Sequence, residues 1–399
     1  MSRLIRLLPA ALFLAPAAQA ATLSPFLVAD QTRDAILLAT DLNGDGTISA
    51  DEVSTFFDGT NGSGLAGAGT NVFALKQLAD GSVLATDGDN DSVYRLRDGN
   101  GDGTAQGAGE AKVWFSGAGN AAGYRLNTPN GVAQGADGAI YVTEADTSGT
   151  PTGDKVFRTV DLNGDGDAND AGEATVWLDL SARSRVAVPF DIAFIGDTAY
   201  VADTDGGNPD LIYAARDANG DGVVSSDELT VFLDESAGFG LADFALDTDG
   251  TSLYTFEWLA GDDGLHSVFR LNDLNGNGVI DAAEEAVEIW NSGLLGDGYS
   301  ILAGFGIGVE SASSIYLASN GSVAGGKSIY HLFDLNGDGD FFDAGETFAA
   351  LSALDAPGTL ERPRDVAVYE APPAPVPVPA ALPLLAGGLG LLAWRRRRA

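Results

Sequence analysis

Residues 41–52 read DLNGDGTISADE, and this stretch determines how the rest of the chain is organised. Oxygen-bearing side chains occupy its first, third, fifth, seventh and ninth positions, glycine occupies the sixth, and glutamate occupies the twelfth. The preceding DAILLAT and the following VSTFF are rich in apolar, β-branched and aromatic residues, which is typical of strands. The pattern therefore predicts an oxygen-lined loop of about a dozen residues that joins two strands.

The spacing of these oxygen donors resembles the calcium loop of EF-hand proteins. An EF-hand loop joins two helices, whereas this one is flanked by strands, so we expect the ion to brace a hairpin. A polar loop of this length loses much conformational entropy when it is ordered, and its carboxylates repel one another. A bound divalent cation offsets both effects because it gives the oxygens a common partner.

The same loop pattern, with small variations, occurs six times in the chain. The later copies begin at Asp98, Asp161, Asp217, Asp273 and Asp334, at successive spacings of 57, 63, 56, 56 and 61 residues. Each copy is preceded by a strand-like run such as SVYRLRD, followed by another such as AKVWFSG, and has a further strand pair upstream. Six units of four short strands predict an all-β, six-bladed β-propeller with the loops between the third and fourth strands of each blade.

The two ends of the repeat region complement each other. The first repeat begins at SPFLVADQ, which corresponds to the second strand of the other units, so its innermost strand is missing. Residues 362–370, RPRDVAVYE, correspond to the innermost strands PFDIAF and PNGVAQ. We therefore predict that an N-terminal and a C-terminal strand share one blade and close the ring. A different ring of six, or a pair of smaller β-domains, is the alternative.

Pro189, Asp191 and Ala193, followed by residues 200–203, give the core a resemblance to the NHL, gluconolactonase and TolB-like six-bladed propellers. This resemblance implies the fold and identifies no activity.

The six loops fall into two lengths. The final glutamate is the twelfth residue in the loops that begin at Asp41, Asp217 and Asp273, where Ile48, Val224 and Ile280 provide an apolar anchor at the eighth position. It is the thirteenth residue in the loops at Asp161 and Asp334, where either the final glutamate swings back as a ligand or Asp170 and Asp343 replace it. The Asp98 loop, with a displaced Glu110, has the fewest donors, and we expect it to bind most weakly.

We expect the loops to bind several calcium ions, up to six. The predicted ligands are Asp41, Asn43, Asp45, Thr47, Glu52, Asp98, Asn100, Asp102, Asp161, Asn163, Asp165, Asp167, Glu173, Asp217, Asn219, Asp221, Val223, Glu228, Asp273, Asn275, Asn277, Val279, Glu284, Asp334, Asn336, Asp338, Asp340 and Glu346.

The two ends of the chain resemble export and sorting signals. Residues 1–20 combine two Arg, an apolar run and an A-x-A site, which is typical of a secretory signal peptide. Residues 371–379 are a Pro-rich linker, and residues 380–399 are a short apolar stretch with four Arg near its end. The stretch VPVPA at 376–380 resembles the VPLPA variant of PEP-CTERM sorting signals, with Val378 in place of Leu.

The resemblance implies a Gram-negative bacterium, transient anchoring in the inner membrane, processing by an exosortase-type enzyme, and delivery to the cell surface or the extracellular space. An ordinary C-terminal anchor is the alternative.

The charge of the chain limits its partners. It contains 21 basic and 57 acidic residues and no Cys. Without the six Arg of its two ends, residues 21–370 and the linker carry 15 basic against 57 acidic residues, a formal charge of −42. Nucleic acid and anionic lipid are therefore unfavourable partners. Because no disulfide can stabilise the protein, another source of rigidity is needed.

We expect a binding or structural role that involves exopolysaccharide, matrix or another surface protein. A metal-dependent hydrolase or lactonase is the alternative, because acidic residues end most of the second strands and begin several innermost strands. Its candidate catalytic residues are Glu144, Asp203, Asp191 and Asp365. The structural interpretation, without catalysis, is that such residues accept hydrogen bonds from backbone turns. His266 and His331 show no Ser/His/Asp grouping in the sequence.

Overall fold

The computed structural model describes residues 23–66, 72–145, 154–181, 187–204, 209–237, 244–257 and 264–371. The predicted signal peptide, residues 372–379 of the predicted linker, and the predicted sorting segment lie outside these ranges. Within them, no helix is both long and apolar enough to cross a membrane.

The described residues form twenty-four strands. In chain order these are β1 (Phe26–Asp30), β2 (Ala35–Ala39), β3 (Val53–Asp58), β4 (Val72–Gln77), β5 (Val83–Asp87), β6 (Ser92–Leu96), β7 (Ala111–Ser116), β8 (Pro129–Gln134), β9 (Ile140–Glu144), β10 (Lys155–Thr159), β11 (Ala174–Asp179), β12 (Pro189–Ile195), β13 (Thr198–Asp203), β14 (Leu211–Ala215), β15 (Leu229–Asp234), β16 (Phe244–Thr248), β17 (Leu253–Glu257), β18 (Ser267–Leu271), β19 (Ala286–Asn291), β20 (Ala303–Ser311), β21 (Ser314–Asn320), β22 (Ser328–Phe333), β23 (Thr347–Ser352) and β24 (Pro363–Val368). Short 3-10 helices occupy Ala50–Glu52, Ser226–Glu228, Glu235–Ala237, Ser292–Leu294 and Ala324–Gly326.

These strands form six antiparallel four-stranded sheets, which confirms the predicted six-bladed propeller. Blade 1 has the order β24-β1-β2-β3, and blades 2 to 6 each take four consecutive strands from β4 onward. All six sequence-predicted loops join the third strand of a blade to its fourth. The middle strands are mostly buried, and β2, with the sequence AILLA, is buried along its whole length, because a neighbouring blade covers each face.

The hydrophobic core is divided among the interfaces between blades. Each of the six buried clusters in the described residues contains side chains from two adjacent blades. The cluster between blades 6 and 1, for example, includes Phe26 and Val28 of β1 together with Tyr316 and Ile329 of blade 6. Burial of this apolar surface is the main favourable term in assembling the ring, but it is non-directional.

The ring closes as predicted. β24 pairs antiparallel with β1, from Phe26 opposite Val368 to Asp30 opposite Pro363. β24 also carries Arg364 to the centre of the ring, where its guanidinium lies over the rings of Phe305, Phe73 and Phe190 at 3.6, 4.7 and 5.7 Å from their centroids. These rings belong to blades 6, 2 and 4, so one cation–π centre in the C-terminal strand contacts alternate blades.

We predict that ending the chain at residue 361 removes the innermost strand of blade 1 and exposes the unpaired edge of β1. The shortened protein should aggregate or lose its cooperative unfolding transition in calorimetry and circular dichroism. A chain ending at residue 371, which keeps β24, is the matched control and should unfold like the longer protein. Equal melting curves for the two truncations would contradict the closure by β24.

Candidate metal centres and the central channel

The first aspartate of each loop organises the turn around its carboxylate. In blade 1, Asp41 Oδ1 accepts hydrogen bonds from the amides of Gly44 and Asp45 at 2.7 and 3.2 Å, and Oδ2 accepts one from Gly46 at 3.0 Å. Both glycines have positive φ angles, 72° and 82°, which an L-residue with a side chain adopts only with strain. The NGDG sequence is therefore needed to wrap the backbone around the aspartate.

In the other five loops, the backbone amides of the fourth and sixth residues likewise donate hydrogen bonds to the first aspartate. Their acceptors are Asp98, Asp161, Asp217, Asp273 and Asp334.

The next donors are held in the same manner. Asn43 Oδ1 accepts from the Asp45 amide at 2.8 Å, and Asp45 Oδ1 accepts from the amide and hydroxyl of Thr47 at 2.9 and 2.8 Å. The Thr47 hydroxyl and then its amide lower the pKa of Asp45. The carboxylate is thus ionised at neutral pH, as a metal ligand must be.

The final glutamate closes the loop. Glu52 Oε1 accepts from the amides of Leu42 and Asn43 at 2.9 and 3.1 Å, while Oε2 accepts from the amide and hydroxyl of Ser49. Bonds from Ser49, first its amide and then its hydroxyl, lower the pKa of Glu52. Glu228 makes the equivalent bonds to Ala218, Asn219 and Ser225.

The longer loops place their final glutamate in the same position. Glu173 and Glu346 each accept a bond from the second residue of their loop, Leu162 at 3.0 Å and Leu335 at 2.9 Å. The carboxylates of Asp170 and Asp343 instead accept bonds from the Asn side chains at the third position. The structure therefore places the final glutamate, and not Asp170 or Asp343, at the closing position of these loops.

The blade 5 loop differs from the sequence prediction. Glu285, not the predicted Glu284, accepts from the amides of Leu274 and Asn275 at 3.0 and 3.2 Å. Glu285 is buried, whereas Glu284 is exposed. This loop is therefore one residue longer than EF-hand spacing suggests. Glu110 in blade 2 also takes the closing position, through bonds from Gly99, Asn100 and Gly107, although its loop was predicted to be the weakest.

Each loop also fastens its blade to the preceding one. The Ile48 amide donates to the Ala350 carbonyl at 2.7 Å, across the junction of blades 1 and 6. The other five junctions carry the same bond at 2.7–2.8 Å, from Ala105, Ala168, Val224, Ile280 and Phe341 to Phe56, Trp114, Trp177, Phe232 and Ile289. The side chains of all six donors are buried, which confirms the predicted apolar anchor and extends it to every loop.

A β-bulge makes the acceptor available. In each blade the pairing of the third and fourth strands skips one residue of the fourth strand, such as Phe56 in blade 1 and Trp177 in blade 3. The skipped residue is in every case the acceptor of the loop bond from the next blade. A bulge leaves its extra residue outside the ladder, so its carbonyl is free to accept from elsewhere.

The donor atoms fit calcium by their chemistry. They are carboxylate, amide and carbonyl oxygens, the hard donors that calcium prefers. Carboxylate oxygens that accept an N–H retain further lone pairs for a cation. Among the residues that the structure describes, no three His, Cys, Asp or Glu side chains lie close enough together to hold a metal ion by themselves. Binding would therefore require the Asn and backbone oxygens of each loop as well.

The channel along the ring axis contains a second group of carboxylates. A cavity of about 510 Å³ is lined by all six innermost strands and includes Asp191, Asp247 and Asp365. Asp365 Oδ2 accepts from the Leu75 amide at 2.6 Å. These carboxylates each bond to an amide of the next blade, as Asp191 does to Leu246 and Asp247 to Val309, both at 2.8 Å. They satisfy amides on the free edges of the innermost strands.

An ion pair spans this channel. Lys76 Nζ on blade 2 lies 2.6 Å from Asp247 Oδ1 on blade 5, the opposite side of the ring. Burial opposes the charge on Lys76, but attraction from Asp247 and then from Asp191 and Asp365 raises its pKa. Neither Asp247 nor Lys76 was singled out in the sequence.

The candidate catalytic residues at the ends of the second strands bind the backbone. Glu144 accepts from the amides of Asn127 and Thr128, and Asp203 accepts from that of Val188. These amides lie just before β8 and β12, so the carboxylates fix the entry of the innermost strands. The predicted ring of acids thus separates into two sets with different partners: Glu144 and Asp203 hold entry segments, whereas Asp191 and Asp365 join blades.

The structure does bring a Ser/His/Glu group together, which sequence reasoning missed. Ser314 Oγ lies 2.8 Å from His331 Nε2 and donates to Glu310 at 2.6 Å. The carboxylate contacts the serine and not the histidine, and both Ser314 and His331 are buried. The order of a hydrolase triad is therefore absent from this group.

Comparisons with known proteins agree with the loops and the fold. The EF-hand family profile matches residues 33–57 and 216–233, which contain the blade 1 and blade 4 loops. A chain of the nidogen/laminin complex is similar in structure, with 14% identity, a TM-score of 0.54, and coverage of 87% of this chain and 99% of that one.

Aldose sugar dehydrogenase from Streptomyces coelicolor shares 15% identity over 75% of this chain and 85% of its own, with a TM-score of 0.46. A 6-phosphogluconolactonase-like protein from Bacteroides uniformis shares 18% sequence identity over 85% of this chain and 86% of its own, with a TM-score of 0.43. These likenesses concern the fold alone. No curated protein matches the sequence.

We predict opposite pH effects from Asp191, which is half-buried in the channel, and from His331, which is buried. Burial raises the pKa of Asp191 to about 7, so its contribution to stability is complete below pH about 4 and is lost as pH rises through 7. Burial lowers the pKa of His331 to about 4, so its contribution is complete above pH about 6.5 and is lost as pH falls through 4.

Unfolding free energies measured by denaturant titration between pH 4 and 7 provide the test. Compared with the unmodified protein, Asp191→Asn should make the unfolding free energy fall less steeply as pH rises. His331→Gln should make it fall more steeply. If the unfolding free energies of both variants and of the unmodified protein changed with pH by the same amount, the pH effects assigned to Asp191 and His331 would be contradicted.

Proposed function

We propose that this chain is a calcium-fastened propeller that acts as a binding or structural module outside the cell. The observation that carries the proposal is the bond from the eighth residue of every loop to the bulge of the preceding blade. Because the loop fixes this residue, an ion that orders the loop also orders the junction. The EF-hand match to two of the loops supports calcium as the ion.

The acidic composition explains why an ion is needed. The chain carries a formal charge of −36, and each loop holds several carboxylates within one turn. Without a counter-charge these groups repel one another and oppose the compact state. When calcium is bound it supplies that counter-charge, while Asp41, Glu52 and their equivalents orient the donor oxygens through bonds to backbone amides.

A binding or structural role is better supported than catalysis. Glu144, Asp203, Asp191 and Asp365 motivated the alternative of a metal-dependent hydrolase or lactonase. Their carboxylates accept bonds from backbone amides that hold strands or blades in place. A rigid ring with an acidic surface suits uncharged or cationic partners, such as a neutral exopolysaccharide or a basic segment of a surface protein.

The site of action follows from the resemblance of both ends to export and sorting signals. We infer that the signal peptide directs export, that residues 380–399 anchor the chain transiently in the inner membrane, and that an exosortase-type enzyme removes them at the cell surface. The short apolar stretch and the Arg block suit temporary retention, because about 20 apolar residues are needed for a stable span.

Chelation should destabilise the protein strongly. A ligand of the folded state contributes RT ln(1 + [L]/Kd), so a loop with a Kd of about 10⁻⁴ to 10⁻⁶ M contributes roughly 1–4 kcal/mol in millimolar calcium. We expect excess chelator to lower the melting temperature by tens of degrees or to unfold the protein. An unchanged melting curve, with metal analysis confirming the loss of calcium, would overturn the proposal.

Two adjacent glutamates provide a matched pair of variants. Glu285→Gln should weaken calcium binding in blade 5, because Glu285 closes that loop, whereas Glu284→Gln should leave binding unchanged. Titration calorimetry should detect the loss of one site of the set in the first variant only. The reverse result would restore Glu284 as the ligand and contradict the assignment to Glu285.

Processing of the tail can be tested by intact mass. Surface material from the native host should lack the residues after about position 379. Replacement of Arg395, Arg396, Arg397 and Arg398 by Gln should impair retention and leave unprocessed protein. A surface form that still contains Trp394 would show that the tail is an ordinary anchor.

A further inference from the structure

We propose that the Lys112 side chain competes with calcium in the blade 3 loop. This loop then binds the ion more weakly than it would if Lys112 were absent. The inference rests on the proposed calcium function. It adds a specific difference among the six loops that their own sequences do not reveal.

Lys112 lies on the outermost strand of blade 2 and extends onto the loop of blade 3. Its Nζ is 3.2 Å from Asp167 Oδ2 and 4.0 Å from Asp165 Oδ1, and it donates a hydrogen bond to the Asp165 carbonyl. A Cβ built on Gly166 would lie 3.4 Å from the same Nζ. The ammonium therefore sits beside the fifth and seventh residues of the loop, which are both predicted ligands.

No other loop receives a lysine from this position. The second residue of the outermost strand is uncharged in the other five blades, where it is Ser54, Thr175, Thr230, Val287 or Phe348. At the blade 6 loop, the guanidinium of Arg270 from blade 5 donates to the Gly339 carbonyl and not to a predicted ligand side chain. The contact between an ammonium and two ligand carboxylates is thus particular to the blade 3 loop among the described residues.

The ammonium and the calcium ion are attracted to the carboxylates of the same two residues, Asp165 and Asp167. Without calcium, Lys112 partly neutralises the loop and holds Asp165 and Asp167 together. Calcium must displace it, and the displaced ammonium remains tethered nearby and repels the ion. Because the Lys112 side chain keeps 47% of its surface exposed, solvent screens this effect, and removal of its charge should tighten binding by about three- to tenfold.

The test follows individual loops during a calcium titration of ¹⁵N-labelled protein at fixed ionic strength. The Gly166 amide donates to Asp161 and reports on the blade 3 loop, and the Gly46 amide donates to Asp41 and reports on blade 1 in the same sample. In Lys112→Met, the midpoint for Gly166 should move to about three- to tenfold lower calcium, while that for Gly46 stays in place.

Lys155→Met is the matched control. Lys155 belongs to β10 and pairs with Asp179 at 3.6 Å, so the substitution makes the same change in net charge away from any ligand. It should leave the Gly166 midpoint unchanged. Without calcium, Lys112→Met should also melt at a lower temperature than the unmodified protein, because the blade 3 loop loses its internal counter-charge.

An unchanged Gly166 midpoint in Lys112→Met, or an equal shift in Lys155→Met, would overturn the role of Lys112 while leaving calcium binding intact. Failure of both glycine amides to respond to calcium in every variant would overturn the calcium proposal itself, and this inference with it.

Discussion

The hydrogen bond from each loop to the bulge of the preceding blade is the contact on which the ring depends. The hydrophobic clusters between blades supply the attraction, but apolar burial does not set an angle or a register. The loop bond does, because both its partners are held in place: the donor by the loop and the acceptor by a bulge at the same step of every outermost strand. One directional contact, repeated six times, therefore fixes where each blade lies against its neighbour.

This contact explains why the loops are so acidic. The eighth residue is positioned only if the preceding turn keeps its shape, and that shape comes from amides that converge on the first aspartate. Carboxylates are strong acceptors for this purpose, but several of them in one turn repel one another. Under the calcium proposal, a bound cation offsets this repulsion. In blade 3, Lys112 supplies part of that charge from within the protein.

The sequence predicted the elements that repeat. The period, the four strands per unit, the position of the loops and the return of β24 to blade 1 could all be predicted, because each depends on local patterns compared between copies. The blade 5 loop could not, because EF-hand spacing favours Glu284 in a run that contains both Glu284 and Glu285, and only the fold shows that the loop holds an additional residue.

The contacts in the central channel could not be predicted from the sequence either. Lys76 and Asp247 are 171 residues apart and meet only because blades 2 and 5 face each other. Asp365 was recognised as the start of an innermost strand, but its role depends on an amide 290 residues away. Such partners lie outside any local pattern, so the sequence indicated that the predicted acidic residues accept backbone hydrogen bonds but not which amides donate them.

The ring closes where the last strand of the chain returns to blade 1, and it is sealed there in two ways. On the inside, β24 pairs with β1 along its length, and Arg364 contacts three phenylalanine rings. On the outside, Ile48 of the first loop bonds to Ala350 of the last blade. Under the calcium proposal only the outer seal depends on the ion, since strand pairing and cation–π contacts need none. Loss of calcium would then loosen every junction at its rim while β24 still links the two ends, so the ion controls the rigidity of the ring more directly than its closure.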